Sequence, residues 1–369
     1  MATDHRPPVL VETSAGLSVA ASRDGGVETA HLTSCPVVPG DVAAVFEDLA
    51  KTVRGKQLQP LSQTVFGAPE LAAPGLAALE QAMGTIAWPV TWIDGGPALV
   101  STQMSAVRGV SVHKLELAGR VVGTAYWDHD VRVCHVGGVS APDSAAANAV
   151  QARVTFQGLE EVLRLAGMDF TDVVRTWLYI DDILHWYSGF NKARWEFFEN
   201  RGITQGRMPA STGIGVANPA GSALVAACIA MRGTRREHRA AAVPSPLQCP
   251  ASDYRSSFSR AAEIQWGDRR RLFVSGTASI APHGETAHAG DVAGQISLTM
   301  QVVEAILSSR GMNWRNVSRG IVYFKDLGDR PVFDSHCQEQ GLSGLPVVIT
   351  QGVICREDLL FEIEVDAVA

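Results

Sequence analysis

The chain closes on LPVVITQGVIC (345–355), a turn Arg356-Glu357-Asp358 and LLFEIEVDAV (359–368). In the last run Phe361, Ile363, Val365 and Ala367 alternate with Glu362, Glu364 and Asp366, the period-2 pattern of a strand with one apolar face. Three carboxylates share the other face. The pair of runs reads as a β-hairpin whose acids either face water as a solvated edge or line a site.

Working back from this hairpin, an order of elements recurs. RLFVSGTASI (271–280) leads to a helix over 291–310, a strand NVSRGIVYF (316–324), a short helix over 331–340 and the closing runs. Before it, VRVCHVGGVS (131–140) leads to a helix over 146–167, with Val150, Val154, Leu159, Val162, Leu163 and Ala166 at helical spacing. VVRTWLYI (173–180), a helix over 186–200, RMPASTGIGV (207–216) and SALVAACIAMRG (222–233) complete that pass. The letters repeat too: Gly167-Met168 with Gly311-Met312, then Val173, Arg175, Tyr179 and Asp182 with Val317, Arg319, Tyr323 and Asp326, and Gly137 and Ser140 with Gly276 and Ser279. Residues present in both passes suit framework at least as well as chemistry. Aligned on these repeats, Phe361-Glu362-Ile363-Glu364 faces Val225-Ala226-Ala227-Cys228, so the acids belong to one unit, an asymmetry that favours a site.

A first pass shares only the order: a helix capped by Asp41, a strand PLSQTVFG (60–67), a helix over 74–83, and strands WPVTWIDG (88–95) and LVSTQMSAVRG (99–109). Residues 1 to about 35 read as an extended entry segment. The expected division is an N-terminal segment and degenerate unit over 1–119, a second unit over 120–233, a surface linker over 234–252 and a third unit over 253–369. The fold class is α/β (α+β), with tandem units.

Composition narrows the function. With 369 residues, 46% hydrophobic and 19% charged, the chain suits a soluble protein of two or three units, and no apolar run approaches the ~20 residues of a membrane helix. The N-terminal letters lack a secretory pattern, so a cytoplasmic location is expected. Six cysteines show no metal-ligand spacing and are expected as free thiols. A net charge of −7 argues against nucleic acid as a partner. No nucleotide fingerprint, ligand cluster or nucleophile elbow is present, so no cofactor or metal is expected, and Ser211-Thr212 is not read as a hydrolase nucleophile. Glu362 is the first choice for proton transfer, since burial at an interface would raise its pKa. Cys355 precedes it in the hairpin and is either a small hydrophobe or a reacting group. The backbone N–H groups around Gly276 and Thr277 either hold a carboxylate or merely make a bend.

The third unit resembles the YjgF/Rid family in its VSG strand, amphipathic helix, VYxxD strand and closing EIE strand. That family forms trimers with sites at subunit clefts, and its imine-deaminase branch carries an arginine shortly after the proline of the penultimate strand. Here Val347 and Val348 follow Pro346, and Ala210 and Ser211 follow Pro209, which disfavours that activity. A longer resemblance is to the chorismatases, fused YjgF-like (chorismate-mutase-like) units. It rests on 175–198, 207–225, FVSGTASI (273–280) and the Cys355 to Glu362 segment. It implies a pseudo-trimer within one chain, a monomer, with a site between the second and third units. The implied reaction is cleavage of chorismate to pyruvate plus 3-hydroxybenzoate or a dihydroxycyclohexadiene carboxylate, with Glu362 as the acid. Arg194 and Arg207 are candidates for the substrate carboxylates, with Tyr179, Ser211, Gly276, Thr277 and Ala278 as further site residues. The resemblance ties a cysteine seven residues before the glutamate, here Cys355, to the hydroxybenzoate branch and an alanine, as at Ala278, to the hydrolytic one; the thiol tips the reading to 3-hydroxybenzoate. An imine deaminase and a non-catalytic small-ligand binding protein are the alternatives.

Overall fold

The computed structural model describes residues 9–14, 16–34, 42–96, 100–235, 238–254, 256–266 and 269–369; the expected helix cap Asp41 lies outside them. The first unit contains β1 (Leu10–Ser14), β2 (Leu17–Asp24), β3 (Val27–Ser34), α1 (Val42–Gly55), β4 (Gln59–Phe66), α2 (Ala72–Met83), β5 (Val90–Ile93) and β6 (Ser101–Arg108). The second runs β7 (His113–Leu117), β8 (Arg120–Asp128), β9 (Val131–Ser140), α3 (Asn148–Leu165), β10 (Val173–Ile180), α4 (Ile183–Glu199), β11 (Ala210–Gly215) and β12 (Leu224–Gly233). The third has β13 (Ala241–Val243), β14 (Ala261–Trp266), β15 (Arg269–Ala278), α5 (Val292–Ser309), β16 (Val317–Phe324), α6 (Arg330–Glu339), β17 (Val347–Gln351) and β18 (Phe361–Val368). Each unit builds a six-stranded sheet with the same order, its strands lying 1-2-3-6-4-5 across the sheet. The tandem pseudo-trimer expected from the resemblance is therefore present in all three units, including the first, whose letters hide it.

Helices cover one face of each sheet and seal three separate cores. Repeated caps set the helix ends: Gly167 and Gly311 take left-handed φ of 63° and 67° after α3 and α5, and the next N–H groups return to Leu163 and Leu307. The opposite sheet faces meet around the pseudo-threefold axis. Two apolar layers draw residues from all three units there: one with Val107, Val133 and Phe273, the other with Phe66, Tyr179 and Tyr323. A polar belt of Arg175, Arg319, Glu364, Gln103 and His135 is also buried between the units.

Several expectations change. The closing runs are not a hairpin: β16 lies between β17 and β18, pairing parallel with the former and antiparallel with the latter. All eight residues of β16 are buried, and a strand covered on both faces belongs in the sheet interior. The acids of β18 are not a solvated edge either, since the whole strand is buried and its acid face points at the neighbouring units. The entry segment forms the strands β1 to β3. β7 joins the second sheet ahead of residue 120, and β13, inside the expected linker, is the edge strand of the third. Finally, Tyr179 pairs with Val225 and Tyr323 with Glu362, so the counterpart of Glu362 is Val225, one position from the alignment by letters. Such a slip exchanges sheet faces. The acids remain confined to one unit: Val225, Ala227 and Ile229 stand at the positions of Glu362, Glu364 and Asp366.

Candidate active site

Unit two meets unit three along β11, where Gly215 and Val353 exchange backbone hydrogen bonds of 2.7 and 2.8 Å. Beside this seam lies a cavity of about 820 Å³. One wall is α4, turned into place by a left-handed Asp182 and a break at Trp186; it presents Tyr187, Asn191, Lys192, Arg194 and Trp195. The other wall comes from unit three: Phe258, Arg260, Gly276, Ala278, Cys355, Arg356 and Glu362. Ser211 and Gly213 of β11 close the floor.

Cations outnumber acids in the lining. Arg194 donates to Asn191 Oδ1 at 2.7 Å and lies over the Phe190 ring. Arg260 grips the Cys249 carbonyl through Nε and Nη2, at 3.0 and 2.8 Å. Both guanidinium carbons stand 5.8 Å from the centre of the Phe258 ring, which spaces the two charges. Arg356 is anchored on the Gly284 carbonyl at 2.7 Å. Three arginines and Lys192 facing one cavity suit an anion, and planar guanidinium groups suit carboxylates.

Glu362 is the acid of this lining, and it sits on glycine. A β-bulge in β15 opposite β18 sets Gly276 beneath it, where a Cβ would lie 2.0 Å from Glu362 Oε1. Among the described residues nothing donates a hydrogen bond to the Glu362 carboxyl. Burial, then the charge of Glu364, push it up to about 8, against the pull of Arg175. Two residues along, Glu364 is the opposite case. Burial would raise it too, but Arg175, Arg319, Thr212 and Trp177 hold it below its ordinary value. Trp177 Nε1 and Arg319 Nη2 reach Oε1 at 2.6 and 2.7 Å, while Arg175 and Thr212 bond Oε2. One acid is thereby kept protonated near neutral pH and its neighbour kept charged.

Cys355 lies in the connection from β17 to β18 rather than across a tight turn. Burial, then the Glu362 charge, push its thiol up to about 12, and Tyr187 hydrogen-bonds it. At neutral pH it is an S–H group and not a thiolate.

Of the residues expected from the sequence, Glu362, Cys355, Arg194, Ser211, Gly276 and Ala278 line the cavity. Three do not. Arg207 is exposed on a 3₁₀ turn away from it. Tyr179 is buried in an apolar layer at the axis. Thr277 points to the other side of β15 and bonds the Ser275 carbonyl at 2.8 Å. Nor are the N–H groups of this bend free to grip a carboxylate: Ser275 N donates to the Arg260 carbonyl and Gly276 N to Thr212 Oγ1, at 3.0 and 3.1 Å. Arg260 and Arg356 went unnoticed in the sequence. Arg356 stands in the turn directly after Cys355, whereas Arg260 carries no local signal beyond preceding a strand.

Comparison with known proteins bears on the sequence and the fold. A family model described as Endoribonuclease L-PSP matches residues 135–227. A protein named 3-hydroxybenzoate synthase from Streptomyces hygroscopicus is 29% identical over 242 residues, 58% of this chain and 67% of that protein. One named chorismatase from Streptomyces rapamycinicus is 29% identical over 252 residues, 62% and 72% of the two chains. A chorismatase crystal structure superposes with a TM-score of 0.64 at 19% identity, covering 94% of this chain and all of the other. In sequence the chain is similar to proteins named chorismatase and 3-hydroxybenzoate synthase, and it shares its three-unit fold with a chorismatase structure.

Proposed function

We propose that this protein is a chorismatase that cleaves chorismate to pyruvate and a ring acid, 3-hydroxybenzoate being the favoured product. The observation that carries the reading is Glu362, un-ionised near neutrality, beside Gly276 in an arginine-lined cleft between the second and third units. Chorismate is a dicarboxylate with an enolpyruvyl ether, and Arg194, Arg260 and Arg356 can share its two carboxylates. Glu362 donates its proton to the ether's methylene carbon, leaving an oxocarbenium centre and a carboxylate. If water adds to that centre, the hemiketal collapses to pyruvate and the dihydroxycyclohexadiene carboxylate. If a ring group adds instead, pyruvate leaves and the ring aromatises to 3-hydroxybenzoate, with no net water consumed. The neutral Cys355 thiol beside Glu362 favours the second course by occupying space that water would need. One chain completes the cleft, so in this reading a cytoplasmic monomer suffices.

The test is incubation of the purified protein with chorismate, pyruvate assay and chromatography of the ring product. Pyruvate matched by 3-hydroxybenzoate supports the full reading. Pyruvate with the non-aromatic diol keeps the chorismatase and rejects the product, and no pyruvate above background rejects the activity.

A further inference from the structure

The reading of Glu362 as proton donor leaves open what keeps that proton in place, and the residues behind the cavity answer it. Glu362 and Glu364 share one face of β18, about 7 Å apart along the strand. A carboxylate has about four acceptor positions, and all those of Glu364 are taken by Arg175, Arg319, Thr212 and Trp177. Its side chain is fully buried, so no water screens its charge.

The groups facing Glu362 come from every neighbouring element. Glu364 is on its own strand, Arg175 on β10 and Tyr323 on β16, where it pairs opposite Glu362. Cys355 and Arg356 come from the preceding connection, and Lys192, Arg194 and Arg260 look on from the cavity walls. Thr212 ties the two acids together. Its hydroxyl donates to Glu364 and accepts the N–H of Gly276, on which Glu362 rests.

We propose that Glu364 is a positioning residue of the reaction: adding to the burial of Glu362, its saturated, buried carboxylate helps to hold that acid in the protonated form, and through Thr212 it fixes the glycine platform beneath it. The arginines of the axis lock the charge of Glu364, while Arg175 also pulls directly against it on Glu362. Neither arginine lines the cavity.

The inference rests on Glu362 being the acid, and the experiment separates the two claims. Infrared difference spectra of the intact protein at pH 7 should contain a protonated-carboxyl band that Glu362→Gln removes; a spectrum without it overturns the proposal whatever the variant's activity. Full pyruvate release by Glu362→Gln would instead reject Glu362 as donor. In Glu364→Gln, the basic limb of the kcat/KM profile should move toward acid by about one pH unit or more, a tenfold relative loss on that side. A limb that stays in place while rates fall equally at every pH makes Glu364 merely structural and overturns the proposal. Should Glu364→Gln fail to fold, the double variant Arg175→Gln/Glu364→Gln removes the buried pair together, which proteins tolerate better than an orphaned charge. Because Arg175 itself pulls Glu362 down, the limb should move in the same direction but less far, and a limb that stays in place or moves toward base overturns the proposal.

Discussion

The Glu362 carboxyl rests on the bare Cα of Gly276: any side chain there would begin 2.0 Å from its Oε1 and 3.0 Å from its Cδ. Gly276→Ala is therefore expected to fold, since the Cβ meets the end of a side chain in an open cavity, and to lose activity by about a hundredfold, the usual cost of moving a reacting group by an ångström. Pyruvate release alongside a thermal melt checks this. A melt unchanged with full activity would show that Glu362 does not work from this position.

Stability should depend on pH through the same acid. The native state holds the Glu362 proton up to about 8, whereas an unfolded glutamate releases it near 4.5. Below 4.5 this contribution is fully present, and it is lost as pH rises toward 8. Urea midpoints of the parent should fall across that window, and those of Glu362→Gln should fall less, the difference amounting to roughly a few kcal/mol.

Arg319 bonds Glu364, Asp366 and Gln103 at 2.7, 2.9 and 2.5 Å, all buried. Arg319→Ala leaves two carboxylates short of a partner and should cost about 3–5 kcal/mol. The surface pair Arg330–Asp334, at 3.4 Å, offers the control: Arg330→Ala should change stability by less than about 0.5 kcal/mol. Denaturant titration compares the two.

Two arginines that look alike in the sequence should separate in kinetics. Arg260→Ala removes a cavity cation and should raise KM for chorismate roughly ten- to hundredfold, the loss of a charge-assisted hydrogen bond. Arg207→Ala, outside the cavity, should stay within about twofold of the parent.

The Cys355 thiol, pushed up to about 12, should react with iodoacetamide at pH 7.5 at least about tenfold more slowly than an ordinary exposed thiol. Peptide mass spectrometry after timed labelling measures this. Fast labelling would mean a thiolate in the resting site.

Much of the fold was legible because two units keep the same letters. Arg175 and Arg319, and Tyr179 and Tyr323, occupy matching positions of β10 and β16, and each has a structural duty at the axis. The first unit was obscure because Ser62 and Phe66 hold those positions in β4. Strand neighbours were not legible: β17 and β18 follow one another in sequence, yet β16, buried along its whole length, inserts between them. Within the site, Glu362 showed itself as an acid interrupting an otherwise apolar repeat. Gly276 was visible only as a bend, because its use as a platform depends on a side chain 86 positions away. Arg207 misled because an arginine beside a strand looks the same whether its backbone turns inward or out.

The unlike residues around the axis have an evolutionary consequence. At equivalent strand positions the three units carry Ser62, Arg175 and Arg319, and Gln103, Ala227 and Glu364. Three separate identical polypeptides would repeat every substitution threefold, so a mutation improving one cleft would alter all of them and triple any charge brought to the centre. Joined in one gene, the copies diverge independently. Two clefts can drift into bracing while selection refines the third, and chemistry that rotational symmetry forbids becomes reachable by single base changes.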